Sequence, residues 1–168
     1  MDEANVEILY IFLLSLLFIY LVLSAQFNSF KDSFLIMCAV PFSITGGVFA
    51  LWATSTSFNL YCGIGLVTLV GLVTKNSIMI VEFTNQLKES GLKLKESIIQ
   101  AAKLRLKPIL MTSSATIIGH APLLISYGAG SNASKSLGIV LIGGMLFGTI
   151  FTLFVIPLLY QTFYRSTK

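Results

Sequence analysis

The sequence contains very little charge. Only 11% of its 168 residues are charged, whereas 55% are hydrophobic, and the mean hydropathy is +0.88. Soluble domains carry about 25% charged residues, because a water-facing surface needs polar groups to cover it. The scarcity of charge therefore excludes a soluble domain and predicts a protein that lies in the bilayer. The net charge of +4 is low for a nucleic-acid-binding protein, so no nucleic acid is expected as a partner.

Cysteine and histidine are equally scarce. The two cysteines, Cys38 and Cys62, give neither a disulfide framework nor a metal signature, and we interpret both as small apolar residues of the core. The single histidine, His120, cannot form a histidine cluster around a metal. A nucleophile elbow, an ATP-binding loop, a zinc motif and a carboxylate pair are also missing. These absences predict no enzyme, no cofactor and no bound metal, and they leave an ion gradient or another subunit as the energy source.

Long apolar runs are what the sequence has in abundance. Five runs reach or approach the roughly 20 residues that cross a bilayer core. They predict an all-α membrane protein, with five transmembrane helices in one transmembrane domain that comprises residues 1–168. No basic stretch precedes the first run, which we therefore expect to be a retained span and not a secretory signal. The predicted spans are residues 8–25, 33–54, 61–86, 109–127 and 137–163.

The loop between the third and fourth predicted spans is long and basic. Its residues 94–106 have an apolar arc, which predicts a short interfacial helix. Lys and Arg concentrate on the cytoplasmic side of membrane proteins. Of the ten Lys and Arg residues outside span centres, nine share the side of this loop and only Lys135 lies on the other. The bias predicts a cytoplasmic loop, a cytoplasmic C-terminus and an N-terminus on the opposite side.

Lys75 is the most informative residue, because it lies near the middle of the third predicted span. It is about 16 Å deep, and a charge at such depth costs at least about 2.5–3.5 kcal/mol. We therefore expect Lys75 to face the interior of a bundle and to pair with an acid. Glu82 is about 10 Å away along the helix axis, too far for a direct pair. The acid is therefore expected in another subunit or in a further part of a longer protein; the alternative is an ion pair that only fixes packing.

The fourth predicted span has polar residues on one face. Thr112, Thr116 and His120 are spaced four residues apart. Threonine in a membrane helix commonly bonds to the preceding turn of its own helix, and we expect this of Thr116. His120 can change its charge near neutral pH and lies at about the depth of Lys75. We interpret it as a hydrogen-bonded core histidine, with a role on a proton path as the alternative.

Two long motifs resemble those of the resistance-nodulation-division (RND) efflux pumps, in the hydrophobe/amphiphile branch. The first is GLVTKNSIMIVEF at residues 71–83, and the second is RLKPILMTS at residues 105–113. Shorter matches at residues 128–131 and 143–145 follow in the same order and spacing. The resemblance covers nearly the whole chain.

This resemblance implies a proton-driven efflux transporter of the bacterial inner membrane that exports drugs or other hydrophobic or amphiphilic compounds. Such pumps have twelve spans in two repeats, and this chain is similar to the last five. The resemblance implies that Lys75 pairs with two aspartates of the first repeat in a proton relay, to which Thr112 and Arg105 also belong. The secondary candidates are Asn76, Glu82 and His120, and His120 departs from the apolar residue that is usual at its position.

The resemblance also implies partners. They are the remainder of the pump carrying the relay aspartates, further copies in a homotrimer, a periplasmic adaptor, an outer-membrane channel and the membrane lipid. Drugs bind in the periplasmic domains of this family, so no substrate pocket is expected in this chain. Two other functions stay open: a truncated, non-transporting fragment or assembly module that needs a partner chain, and a small independent channel. A channel needs a self-contained polar path, for which one lysine without an acid is poor material.

Overall fold

The computed structural model describes residues 2–128 and 130–165. Two residues named in the sequence analysis lie outside the described residues. They are Ala129, in one of the short motifs, and Lys168, one of the basic residues counted above. Within the described ranges the chain forms six helices and no strand, so the predicted all-α architecture is confirmed. The helices are α1 (Asp2–Phe27), α2 (Phe30–Met37), α3 (Ala39–Ala53), α4 (Leu60–Glu89), α5 (Leu94–Leu124) and α6 (Ser131–Arg165).

Helices α2 and α3 form one apolar unit that is interrupted at Cys38. The Ser29 hydroxyl begins α2 as an N-cap, where it accepts a hydrogen bond from the backbone N–H of Asp32 at 3.3 Å. The interruption lies just before Pro41, whose ring clashes with the carbonyl of the residue four positions earlier, Met37, and whose nitrogen has no hydrogen to donate. A single proline thus explains why one predicted span is built from two helices.

Four helical units are long and apolar enough to cross a membrane. They correspond to the first, second, third and fifth predicted spans. Helix α5 is not among them, because Thr, Ser, Gly and His residues interrupt its apolar part, and its transmembrane assignment stays a prediction. The four units are Leu9–Phe27, Phe30–Ala53, Leu60–Glu89 and Ser131–Phe163.

Helix α5 joins two regions that the sequence analysis kept apart. It continues from the residues predicted as an interfacial helix into those predicted as the fourth span, with Pro108 inside it. Proline inside a helix removes one backbone hydrogen bond, but packing within a bundle offsets this loss. Ala101 and Ile109, on either side of Pro108, are both fully buried and hold the two halves against their neighbours.

Helix α6 lies at the centre of the bundle and packs against α3, α4 and α5. Glycines make this packing close. A Cβ atom added at Gly143 would lie 2.3 Å from the Cβ of Ala50 on α3, and one added at Gly144 would lie 2.1 Å from the Cδ2 of Leu69 on α4. Small residues therefore let the backbone of α6 approach two neighbours at once.

Helix α1 is peripheral. Among the described helices it packs only against α2 and α4. Its apolar side chains face outwards, and Leu14 and Phe18 are each 67% exposed. Such a surface suits contact with lipid or with further helices.

Candidate proton-relay site

Lys75 lies on the outer surface of the bundle. It stands about half-way along α4, which begins after the N-cap Asn59, whose Oδ1 accepts a hydrogen bond from the backbone N–H of Cys62 at 3.0 Å. The side chain of Lys75 is exposed, whereas Thr74 and Asn76 on either side are 4% and 3% exposed. The sequence analysis expected Lys75 to face a bundle interior, and within this chain it does not. The buried stripe of α4 passes beside Lys75, because core residues such as Val73 and Ser77 take the positions that face α6.

The surface around Lys75 is uncovered in the described part of the chain. A Cβ atom added at Gly71, one turn away, would meet no atom within 4 Å. Glu82 is also exposed, two turns from Lys75 along α4. No hydrogen bond or ion pair joins Lys75 to any of the residues that the structure describes. We call the α4 surface formed by Gly71, Lys75 and Glu82 the open face.

A buried polar cluster lies directly beside Lys75 and joins three helices. The Ser113 Oγ on α5 accepts hydrogen bonds from the Asn76 Nδ2 on α4 at 3.1 Å and from the Thr149 Oγ1 on α6 at 2.9 Å. All three residues are at most 5% exposed. A hydrogen bond in such a low-dielectric interior is stronger than in water, and a polar group left unpaired there is costly. The cluster therefore fixes the rotation of α4 about its axis, and with it the direction in which Lys75 projects.

The cluster also shows what the sequence analysis missed. Asn76 was a secondary candidate, whereas Ser113 and Thr149 were not considered. Ser113 falls inside the second motif, next to Thr112, so the motif itself was a usable signal. The sequence contains no comparable signal for Thr149. A lone threonine in an apolar run gives the same sequence pattern whether it bonds to its own helix or to another.

Thr112 lies at the level of Lys75, since their neighbours Ser113 and Asn76 are bonded to each other. Its hydroxyl donates to the backbone carbonyls of Pro108 and Ile109, each at 3.1 Å. In this state the hydroxyl therefore bonds within its own helix. The structure brings Lys75 and Thr112 to one level of the bundle without a direct hydrogen bond between them.

Thr116 and His120 continue the same pattern along α5. The Thr116 hydroxyl donates to the Thr112 carbonyl at 2.8 Å, so the prediction for Thr116 is confirmed. The His120 Nδ1 lies 2.7 Å from the Thr116 carbonyl oxygen. Because a carbonyl oxygen only accepts, Nδ1 carries the hydrogen in this arrangement and Nε2 is the remaining nitrogen of the ring. His120 is half-buried, which agrees with a hydrogen-bonded histidine at the edge of the core.

Arg105 is farther from Lys75 than the two motifs suggest. Its guanidinium carbon lies 4.3 Å from the centre of the Phe83 ring, a cation–π contact between α5 and α4. Phe83 is two turns from Lys75, roughly 12 Å along the axis. The Arg105 Nε is buried and has no hydrogen-bond partner among the described residues. Arg105, on α5, thus lies beside the end of α4 near the basic loop and not in the immediate surroundings of Lys75.

A second polar cluster, which the sequence analysis did not anticipate, lies at that same end. Asp32, which lies just before the second predicted span, is only 3% exposed and accepts a hydrogen bond from the Asn85 Nδ2 at 2.9 Å. The Tyr160 hydroxyl donates to the Asn85 Oδ1, and the Lys88 Nζ lies 3.5 Å from that hydroxyl oxygen. Asn85 is roughly 15 Å from Lys75 along α4. This buried acid therefore does not serve as the partner of Lys75 but ties α2 and α6 to the end of α4.

An exchange of the side chains at positions 32 and 85 tests this second cluster. Asn85→Asp places a second carboxylate against buried Asp32, so we expect the thermal unfolding midpoint of the chain in detergent to fall, with a loss of about 1–3 kcal/mol. The double variant Asp32→Asn with Asn85→Asp restores an amide opposite a carboxylate and should recover most of the stability. Equal midpoints for the single and double variants would contradict this assignment.

Comparison with known proteins identifies the family. Residues 1–164 match the family model of the AcrB/AcrD/AcrF transporters. The chain belongs to this RND family. It is 43% identical over 158 residues to an uncharacterized transporter of Haemophilus influenzae. This alignment covers 89% of this chain and 15% of that protein. The AcrB/AcrD/AcrF assignment confirms the predicted RND resemblance and makes the chain part of a multi-pass membrane transporter, not an enzyme.

Two further relatives have names that refer to different compounds. The chain is 39% identical over 150 residues to the toluene efflux pump membrane transporter TtgB of Pseudomonas putida, with 89% of this chain and 14% of TtgB aligned. It is 34% identical over 154 residues to the cobalt-zinc-cadmium resistance protein CzcA of Cupriavidus metallidurans, with 92% of this chain and 14% of CzcA aligned. The chain therefore spans only about 14–15% of the length of these AcrB/AcrD/AcrF-family relatives.

Proposed function

We propose that this chain forms part of a proton-driven efflux transporter and supplies the lysine and threonine side of its intramembrane proton relay. One observation carries the proposal: Lys75 lies half-way along a membrane-length helix, on a face that no described residue covers. A cation that faced lipid at this depth would be costly, and such residues normally pair inside a bundle or a water-filled cavity. The open face is therefore a contact surface for helices that carry acidic residues.

The remainder of the pump supplies these acids in our proposal. Because the chain covers about 14–15% of the length of its relatives, the relatives contain much more chain from which such helices can come. Two carboxylates beside Lys75 would be held ionised by its ammonium group. Protonation of one carboxylate weakens its attraction to Lys75 and frees the lysine to shift.

The three-helix cluster supplies a route by which this shift spreads. Asn76 follows Lys75 directly and bonds to Ser113, which also bonds to Thr149. A rotation of α4 that moves Lys75 must therefore either drag α5 with it, and α6 through the Ser113–Thr149 bond, or break the buried Asn76–Ser113 hydrogen bond. Breaking that bond leaves a buried polar group unpaired, which costs about 1–3 kcal/mol. Coupled movement of the three helices is the step that alternating access requires.

Thr112 and Arg105 take different places in the relay. The Thr112 hydroxyl is at the level of Lys75 and needs only a side-chain rotation to leave its own helix and reach a neighbouring carboxylate or water. Arg105 lies nearer the basic loop, where its fixed positive charge disfavours a bound proton and promotes proton release to the cytoplasm. Glu82 is the acid of the open face, and a proton that moves from Lys75 towards the basic loop would meet it.

Drugs or other hydrophobic or amphiphilic compounds are the proposed cargo, on the basis of the two long motifs. The proposed location is the bacterial inner membrane, with a periplasmic N-terminus and a cytoplasmic C-terminus. Assembly as a homotrimer with a periplasmic adaptor and an outer-membrane channel is part of the same proposal.

Two measurements test this function. An antibody to residues 93–107 should detect a protein several times larger than 18.3 kDa in native membranes, whereas a band near that mass favours a partner-dependent fragment. Cells that make the transporter should extrude ethidium until a protonophore is added. Tolerance to zinc, cobalt and cadmium without ethidium efflux would instead assign metal ions as the cargo.

The variant His120→Val tests whether His120 belongs to the proton relay. We expect unchanged efflux and an unchanged pH profile, because the His120 Nδ1 bonds to a backbone carbonyl of its own helix. Ethidium efflux measured from pH 5.5 to 8, with the wild type as control, checks this. A shifted pH profile would show that His120 takes part in proton transfer.

A further inference from the structure

We propose that the bundle binds the phosphate group of a membrane phospholipid at the end where α3 leads into α4 and α5 into α6. A pocket of about 360 Å³ opens there. We call it the headgroup pocket and define it by six of its lining residues, Thr54, Thr56, Asn59, Asn132, Lys135 and Ser136. It is far along the bundle from the Asp32 cluster, and the proposal does not depend on the proton relay.

The pocket is a fixed structure, because hydrogen bonds join its walls. The Asn59 Nδ2 donates to the Ser136 Oγ at 2.9 Å, which links the start of α4 to the first turns of α6. Ser136 is only 2% exposed and donates to the Asn132 carbonyl at 2.8 Å. On the side of α3, the hydroxyls of Thr54 and Thr56 lie 3.0 Å apart. The Asn59–Ser136 bond thus joins two sides of the pocket, and the other bonds hold its lining residues locally.

The electrostatics of the pocket favour an anion. Lys135 is the one charged residue among those that line it, and no Asp or Glu belongs to the lining. The Lys135 Nζ lies 5.7 Å from the centre of the Tyr127 ring, so the ammonium group is held near the pocket mouth. Lysine binds phosphate as a point charge, and the side-chain amides of Asn59 and Asn132 have N–H groups left to donate, because an amide nitrogen carries two hydrogens. The Ser136 and Thr54 hydroxyls already donate to backbone carbonyls of the chain. A phosphate group meets this chemistry.

The position of the pocket across the bilayer identifies the source of that phosphate. Trp52 and Tyr127 are 76% and 88% exposed and flank this end of the bundle, together with Tyr61, which is 45% exposed. Trp and Tyr concentrate at the level of the lipid headgroups. The aromatic residues therefore place the pocket at the depth of the phospholipid phosphates. Free inorganic phosphate shares the chemistry but does not share this depth.

Lipid retention tests the proposal. The purified full chain, in a non-ionic detergent without phosphate, is given equal small amounts of phosphatidylglycerol and of diacylglycerol, which lacks the phosphate. Lipids that stay bound after exchange into fresh detergent are then counted by native mass spectrometry. We expect phosphatidylglycerol to be retained and diacylglycerol to be lost. Lys135→Gln should lower the retention roughly fivefold, the factor for one lysine beside an anionic headgroup, and Lys135→Arg should preserve it.

Two controls make the result decisive. Lys103→Gln removes an exposed lysine of α5 on the other side of Pro108 and should leave retention unchanged. Inorganic phosphate is added in a separate arm. Equal retention by the wild type and Lys135→Gln would overturn the site, and displacement of the lipid by inorganic phosphate at millimolar concentration would overturn the lipid as its source.

Discussion

Replacing Lys75 with methionine is expected to abolish proton-coupled export and to leave the bundle intact. Methionine keeps the length of the side chain but removes the charge that the relay uses. An opposite charge beside a carboxyl changes its proton affinity by about 10- to 1000-fold, so without the Lys75 charge transport should fall roughly 100-fold or more. The fold should survive, because Lys75 makes no hydrogen bond or ion pair with the described residues and its side chain is exposed within this chain.

The matched control for Lys75→Met is Lys103→Met. Lys103 is also exposed, but it lies in the first half of α5, outside the open face. Ethidium efflux from cells and proton uptake by proteoliposomes should both be lost for Lys75→Met and kept for Lys103→Met, at equal amounts of protein in the membrane. Normal efflux by Lys75→Met would disprove the relay role while leaving the family assignment untouched.

Gly143→Ala is expected to destabilise the chain strongly, although it adds only one methyl group. The added Cβ would lie 2.3 Å from the Ala50 Cβ and 3.2 Å from the Gly46 carbonyl oxygen. Neither atom can rotate away, since one is a backbone atom and the other is bonded directly to the backbone. Helices α3 and α6 must therefore separate, and overpacking of this kind costs about 1–3 kcal/mol.

Gly119→Ala is the control for Gly143→Ala. A Cβ atom at Gly119 would meet nothing within 4 Å, so this variant should be unchanged or gain up to about 1 kcal/mol from the better helix propensity of alanine. Unfolding in detergent, followed by circular dichroism against temperature, compares the two. Equal unfolding midpoints would mean that α3 and α6 do not pack as closely as the structure shows.

Much of the fold could be predicted from the sequence, because the properties involved are local. Hydropathy over about 20 residues defines a span, and four of the five predicted spans match helical units that are apolar enough to cross a membrane. The exception is the fourth predicted span, where Thr, Ser, Gly and His residues interrupt the apolar part of α5. The effect of each proline could not be predicted locally, since the helix breaks just before Pro41 but continues through Pro108.

The candidate site was only partly predictable. The depth of Lys75 along its helix follows from counting residues, and so does the lack of a nearby acid in the same span. The direction of Lys75 does not, since it is set by the rotation of α4 against its neighbours. The bonds that fix this rotation join Asn76 to Ser113 and Ser113 to Thr149, pairs that are 37 and 36 positions apart.

The sequence by itself determined that this protein is a helical membrane protein with a charged residue deep in one helix, and its motifs identified the RND family. Only the tertiary structure decided that Lys75 faces outwards, that Asp32 is buried and that seven polar residues and one isoleucine enclose the headgroup pocket. The physical reason is the range of the interactions. Transfer from water to lipid acts on each segment separately, whereas burial and hydrogen bonding between helices depend on partners that lie far away in the chain.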